Sequence, residues 1–167
     1  MDAIMRGLHF LAVLTWIGGM MFQLIALQPF LRLQDISLRL PILFPIVRRF
    51  MMMTWSSITL LLLSGSDMVI RVIVDQKVSL GSRLGMLLLL KWMLFGLMLV
   101  VFGFLFFRYF FEFRIHYRAL LRKPDSKEAT QHYQAIEALL PPMRNLTLIN
   151  LVLGLSIIFV VEFALYP

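Results

Sequence analysis

Cysteine is absent from the 167 residues. That absence removes disulfides, thiolate metal sites, iron–sulfur clusters and thiol nucleophiles together. Acidic residues are also few, nine against sixteen Lys and Arg, and there are three histidines. In a soluble protein the net charge of +7 would suit nucleic acid. In an apolar chain it marks loops beside anionic lipid, so no nucleic-acid partner is expected. No Gly-rich phosphate loop, low-complexity tract or clear repeat is present. No serine–histidine–carboxylate set shares a depth convincingly, so hydrolytic machinery is not expected. NLT at Asn145 matches a glycosylation sequon, but at a membrane edge it reads as a chance match. What the chain does have is hydrocarbon. Sixty per cent of its residues are hydrophobic and its mean hydropathy is +0.87, far more than a soluble domain of this length needs.

Four stretches are long enough to cross a bilayer, which takes about 20 residues each. They cover approximately 5–28, 50–74, 84–107 and 146–165. The first has only Arg6 as a positive start, no small-x-small cleavage site and too long an apolar run for a secretory signal. It therefore reads as a retained helix. The expected fold is all-α: a four-helix integral membrane bundle in a single transmembrane domain, 1–167, with no inserted soluble module.

Charge sets the expected orientation. The segments after spans one and three carry eleven of the sixteen basic residues, from Arg32, Arg39, Arg48 and Arg49 to Arg108, Arg114, Arg118 and Arg122 with Lys123, Lys127 and Arg144. The opposite side has Arg6, Arg71, Lys77 and Arg83. The positive-inside rule then puts both termini outside, which in a Gram-negative cell is the periplasm, and makes this a multi-pass protein of the bacterial inner membrane. Arg32 to Pro45 is amphipathic and Pro-punctuated, as for a segment lying along the interface. Span three is expected to continue through YFFEFRIHYRALLRK. Asp125 and Glu128 fit a capping box for a second helix over 126–140, which Pro141 and Pro142 stop. The result is a short basic cytoplasmic helical hairpin between helices 3 and 4.

Antiparallel spans assign depths. His9 lies about two turns below the outer surface at about 1.5 Å per residue. Asp67 and Arg71 fall in the last two turns of span two, Lys91 about two turns into span three, and Glu162 near the end of span four. Every span thus brings an ionisable residue to the outer third. The inner half holds milder groups: Gln23, Thr54, Ser56, Ser57 and Asn150. Taken singly, each charged residue has a structural explanation. Asp67 and Arg71 are spaced for a local pair, Lys91 and Glu162 could pair or snorkel, and His9 could bond a carbonyl. Five together at one depth point to a functional pocket, because an unpaired intramembrane charge is costly and faces the bundle interior. Gly18, Gly19, Ser64-Gly65-Ser66, Gly96, Gly103 and Gly154 are small residues of the kind that let helices approach around a flat cofactor.

Two chemistries fit such a pocket. In the first, His9 is an axial ligand of a b-type haem, with Arg71 and Lys91 neutralising the propionates. A second histidine ligand is missing, because His116 and His132 lie in the cytoplasmic hairpin. Met68, Met86, Met93 or Lys91 would then supply the sixth ligand, or water would. In the second, copper is held by His9 with Met5, Met68 or Met86, since thioether and imidazole suit Cu(I). Against it, methionine is an ordinary gap-filler, and the run Met51 to Met53 simply packs. A third reading is a cofactor-free structural subunit whose charges grip a partner helix in a larger redox complex or a homo-oligomer.

The sequence HFLAVLTWIGGMMF, beginning at His9 with Trp16 seven residues on, resembles the first helix of the copper-resistance-D (CopD) family. RRFMMMTWSSITLLLLSG, LLLLKWMLFGLMLVVF and INLVLGLSIIFV resemble that family's second, third and last helices, so the likeness covers all four spans. The HemJ-type protoporphyrinogen oxidases are similar in plan, with a histidine in helix one and a lysine in helix three. The resemblance implies His9 as haem ligand and Lys91, with Trp16, as site residues. After Trp16 the chain departs from the oxidase pattern: QLIALQPFLRL stands where a Leu-Pro-Arg-Leu stretch and a second histidine are expected. The resemblance thus implies a membrane haem protein in electron transfer or a porphyrin-linked oxidation, with copper uptake or tolerance as the alternative.

Overall fold

The computed structural model describes residues 3–75, 81–122 and 128–165. Four long helices account for nearly all of them: α1 (Ala3–Arg32), α2 (Ile36–Asp75), α3 (Arg83–Arg122) and α4 (Ala129–Leu165). All four are long and apolar enough to cross a membrane, and the chain is a four-helix, multi-pass membrane bundle. Lipid-side exposure agrees: Phe10, Ile25, Val100, Phe107 and Phe159 are each more than 60% exposed, as hydrocarbon permits and water does not.

Successive helices run in opposite directions. His9 meets Ser64 and Gly19 meets Phe50 across α1 and α2, while Met98 meets Gly154 and His116 meets His132 across α3 and α4. The start of α1 and the finish of α4 therefore share one end of the bundle, here called the terminal end; the α3–α4 connection marks the hairpin end. At mid-depth Trp16, 2% exposed, meets the rings of Phe95 and Phe102 edge-on at 6.2 Å each. The approach of α1 to α2 depends on Gly19: a Cβ there would stand 2.5 Å from Phe50 Cε2. At Gly154 the fit is close but less strict: a Cβ would stand 3.2 Å from Ile17 Cδ1 and 3.3 Å from Met98 Cε, both ends of flexible side chains. Gly18, Gly96 and Gly103 have nothing within 4 Å, so the expectation that these three mark helix contacts is corrected.

The helices outrun the bilayer. At about 1.5 Å per residue the 40 residues of α2 extend about 60 Å, twice the hydrocarbon thickness, and the excess lies at the hairpin end. Here the structure corrects two expectations. Residues 36–45 are not a separate interfacial segment but the first turns of α2, and Pro141 and Pro142 lie inside α4 without stopping it. A proline removes one hydrogen bond to the carbonyl four residues back. The carbonyls released by Pro141 and Pro142 belong to Glu137 and Ala138, both exposed, where solvent can replace the bond. Meanwhile Leu40, Leu43, Phe44, Val47 and Met51 make a buried helical stripe that holds α2 against α3, with Phe44 stacked on Tyr117 at 4.0 Å. Packing outweighs the lost bonds. The proposed capping residue Asp125 lies outside the described residues; Glu128 precedes α4 and accepts from the His132 backbone at 3.1 Å.

Two wide π turns interrupt the regular spirals, over Phe22–Leu27 in α1 and Leu105–Phe110 in α3. Pro29 follows the first and cannot donate to Ile25, which favours re-registration of the preceding bonds.

Beyond Phe107 the α3–α4 pair is amphipathic and stands clear of the apolar spans. His116 and His132 face each other there with Nδ1 atoms 3.0 Å apart, so one ring donates and the other accepts. Burial, and then the neighbouring His132, push the His116 imidazole below its ordinary value of 6.5. The unfolded chain thus binds that proton more tightly than the folded hairpin does. The hairpin keeps its full stability above pH 6.5 and loses it as pH falls through the lowered value. Acidification from about pH 8 to about pH 5 should lower the amide protection factors, that is, exchange rates corrected for their intrinsic pH dependence, over 111–122 and 129–140 while the spans stay protected. His116→Asn should remove that pH dependence; protection factors that stay constant with pH in the unaltered chain would contradict it.

Candidate functional site

Near the terminal end the four helices part around a cleft of about 330 Å³, within the roughly 300–1,000 Å³ range of ligand pockets. All four contribute to it: His9 and Trp16 from α1, Leu61 and Gly65 from α2, Lys91 and Trp92 from α3, and Gly154 from α4. Its walls are otherwise apolar, with Val13, Phe95, Met98 and Ile157 among them. His9 and Lys91 are its two ionisable lining residues.

His9 reaches this wall because it continues the buried stripe of α1, which runs through Ala12, Trp16, Met20 and Gln23 at helical spacing. Its Nδ1 lies 2.8 Å from Ser64 Oγ. Ser64 in turn donates its single hydroxyl proton to the Leu60 carbonyl at 2.5 Å. The Ser64 oxygen must then accept from His9, so the imidazole carries its proton on Nδ1 and keeps a lone pair on Nε2. His9 makes no other hydrogen bond among the described residues. Gly65 lies against the ring: a Cβ there would sit 3.8 Å from His9 Cε1, an ordinary van der Waals contact. A half-buried imidazole oriented through one nitrogen and free at the other is the arrangement that metal-ligating histidines require.

The other expected residues are placed differently. Arg71 and Asp67 form an i, i+4 pair, Nε to Oδ2 at 3.0 Å, in a partly exposed position that does not line the cleft. Met68 and Met86 do not line it either, and Met5 and Met86 are exposed; Met98, buried, is the methionine in the wall. Glu162 falls in the last turns of α4, and its side chain lies outside the described residues. Among the described residues no group of three or more His, Asp or Glu could hold a metal ion. The structure therefore joins His9, Trp16 and Lys91 from the expected set and leaves Asp67 and Arg71 beside it.

Met98 is a member absent from the sequence expectations, and Ser64, expected only as a small packing residue, is the hydrogen-bond partner of His9. Ser64 stands one turn beyond Leu60 and Leu61 on the buried side of α2, a hydroxyl in a run of leucines, and that position was its available signal. Removing its hydroxyl should leave the bundle folded and loosen whatever His9 ligates by about tenfold, the lower end of the roughly 10–100-fold effect of second-shell partners. A Ser64→Ala titration with haemin that matches the unaltered chain would show that the bond does not orient the ring.

No family model, no curated protein and no solved structure matches this chain, so its functional reading rests on the residues themselves.

Proposed function

We propose that the cleft holds one b-type haem, with His9 Nε2 as axial ligand, and that the chain works as an electron-transfer protein of the bacterial inner membrane. The observation that carries this reading is the His9–Ser64–Leu60 relay, which leaves a lone pair at a cleft shared by four helices. The donor set fits the group. A neutral imidazole suits haem iron, flat apolar walls suit the macrocycle, and one cation suits a carboxylate. Lys91, in the cleft lining, would provide that cation to a propionate.

When bound, haem supplies one-electron exchange at iron. The chain's own part is to orient and to exclude water. Ser64 fixes the His9 tautomer and ring plane. Trp16, Phe95 and Met98 close the cleft from below, which keeps water from the centre of the bundle. The basic residues gathered at the hairpin end support an orientation with both termini in the periplasm. The cleft would then exchange electrons near the periplasmic surface.

Metal and pigment analysis of the detergent-purified full chain tests the reading. Iron and extractable haem near one per chain are the expected result. Copper without haem would favour a copper-handling protein. A colourless, metal-free chain that co-purifies with an oxidase or dehydrogenase would favour a structural subunit.

A further inference from the structure

A second cavity, of about 250 Å³, opens at the hairpin end, where α1 finishes, α2 begins and the α3–α4 extension passes beside them. Leu43, Met51, Leu105 and Phe113 form part of an apolar wall. Set into that wall are Gln23 and Arg39, only 5% and 8% exposed. Gln23 Nε2 and Arg39 Nε have no hydrogen-bond partner among the described residues. Both are donors with no acceptor function, and buried donors left unmatched are costly.

The neighbouring groups do not relieve them. Arg39 has one ion pair, a single guanidinium nitrogen 3.3 Å from Glu137 Oε1, and the Glu137 side chain is 63% exposed at the mouth. The Thr147 hydroxyl donates to the Met143 carbonyl at 2.8 Å. Arg32 and Gln28 add further donors, so the lining carries two guanidinium groups against one carboxylate. Both π turns border the cavity, through Gln23 and Leu105, and such turns are frequent at functional sites. The cavity also straddles a boundary. Met51 and Leu105 face it from the apolar spans, while Arg32 and Arg39 lie at its polar side.

We propose that this cavity binds the phosphate head of an amphiphile, received by Arg39 and Gln23 and flanked by Arg32, with the apolar part along the Leu43–Leu105 wall. Two orphaned donors and a surplus cation ask for an anionic, acceptor-rich group; the wall asks for hydrocarbon beside it. Guanidinium meets phosphate through paired, charge-assisted bonds. An anionic lipid of the adjacent leaflet and a soluble phosphate compound share this chemistry. Glu137 competes for Arg39 from the mouth. The inference is independent of the haem reading, because it concerns the opposite end of the bundle.

The test measures the thermal unfolding midpoint of the full chain in neutral detergent with added phosphatidylglycerol, phosphatidylcholine or inorganic phosphate. Near saturation, phosphatidylglycerol should raise the midpoint by about 5 °C. Phosphatidylcholine, which brings its own cation, should raise it much less. A comparable rise with inorganic phosphate would support the same site with a soluble source. Arg39→Gln should remove the shift. Because loss of a buried arginine can itself unfold the chain, exposed Glu137→Gln is the second variant. By releasing Arg39, it should lower the half-saturating phosphatidylglycerol concentration about threefold, the scale of one exposed ion pair. No greater effect of phosphatidylglycerol than of phosphatidylcholine, with none from phosphate, overturns the proposal. So does an unchanged or raised half-saturation in Glu137→Gln.

Discussion

His9→Ala is expected to abolish stoichiometric haem binding, with affinity falling by more than the roughly 10–100-fold attributed to second-shell partners. The reason is positional. His9 is the histidine at the cleft, whereas His116 and His132 face each other in the hairpin at the other end of the bundle. Three measurements separate a ligand from a packing residue. The double variant His116→Asn/His132→Asn should keep full haem content. Imidazole added to His9→Ala should refill the vacated position and restore the reduced absorption bands. Lys91→Gln should keep those bands while weakening binding, because it removes a propionate partner and not the axial ligand. Haem retained at wild-type affinity without His9 would remove the basis of the proposed function.

Trp16→Ala should destabilise the bundle by about 2–3 kcal/mol, somewhat below the roughly 3–5 kcal/mol of large aromatic truncations in water-soluble cores. In lipid the transfer term largely vanishes, and what remains is lost contact and the cavity left behind. Trp16 is 2% exposed and lies edge-on to Phe95 and Phe102, so the loss falls at the junction of α1 with α3. It also removes the floor of the cleft, so haem affinity should fall together with stability. Phe159→Ala provides the control: its ring is 64% exposed, lines neither cavity and should contribute little. Equilibrium unfolding in mixed micelles reads both. Equal, small losses for the two variants would mean that Trp16 is not packed as described.

The spans were legible because an 18-residue apolar window has one stable fate, a membrane helix. The ends were not. Prolines at 41, 45, 141 and 142 read as breakers, yet a buried stripe through Leu40, Phe44 and Val47 on α2, and through Ile136 and Met143 on α4, keeps each helix in register across them. Depth arguments found His9 and Lys91 but over-collected. Height along a helix follows from residue number, whereas azimuth needs the 3.6-residue period. Extending the buried positions Thr54, Ile58, Leu61 and Gly65 leads past Asp67 and Arg71, which fall to the side of the cleft and pair with each other. The same period carries Trp16 and Met20 on to Gln23, so a carboxamide on a buried stripe was the signal for the second cavity. Arg39 was hidden for another reason. It was counted as a loop charge, and only the continuation of α2 to Ile36 turns it inward.

The most direct measurement is the reduced-minus-oxidised absorption spectrum of the full chain, purified in detergent from cells supplied with haem precursor. Sharp b-type bands at one haem per chain are the predicted result. A featureless spectrum from folded protein that also fails to take up added haemin would contradict the account.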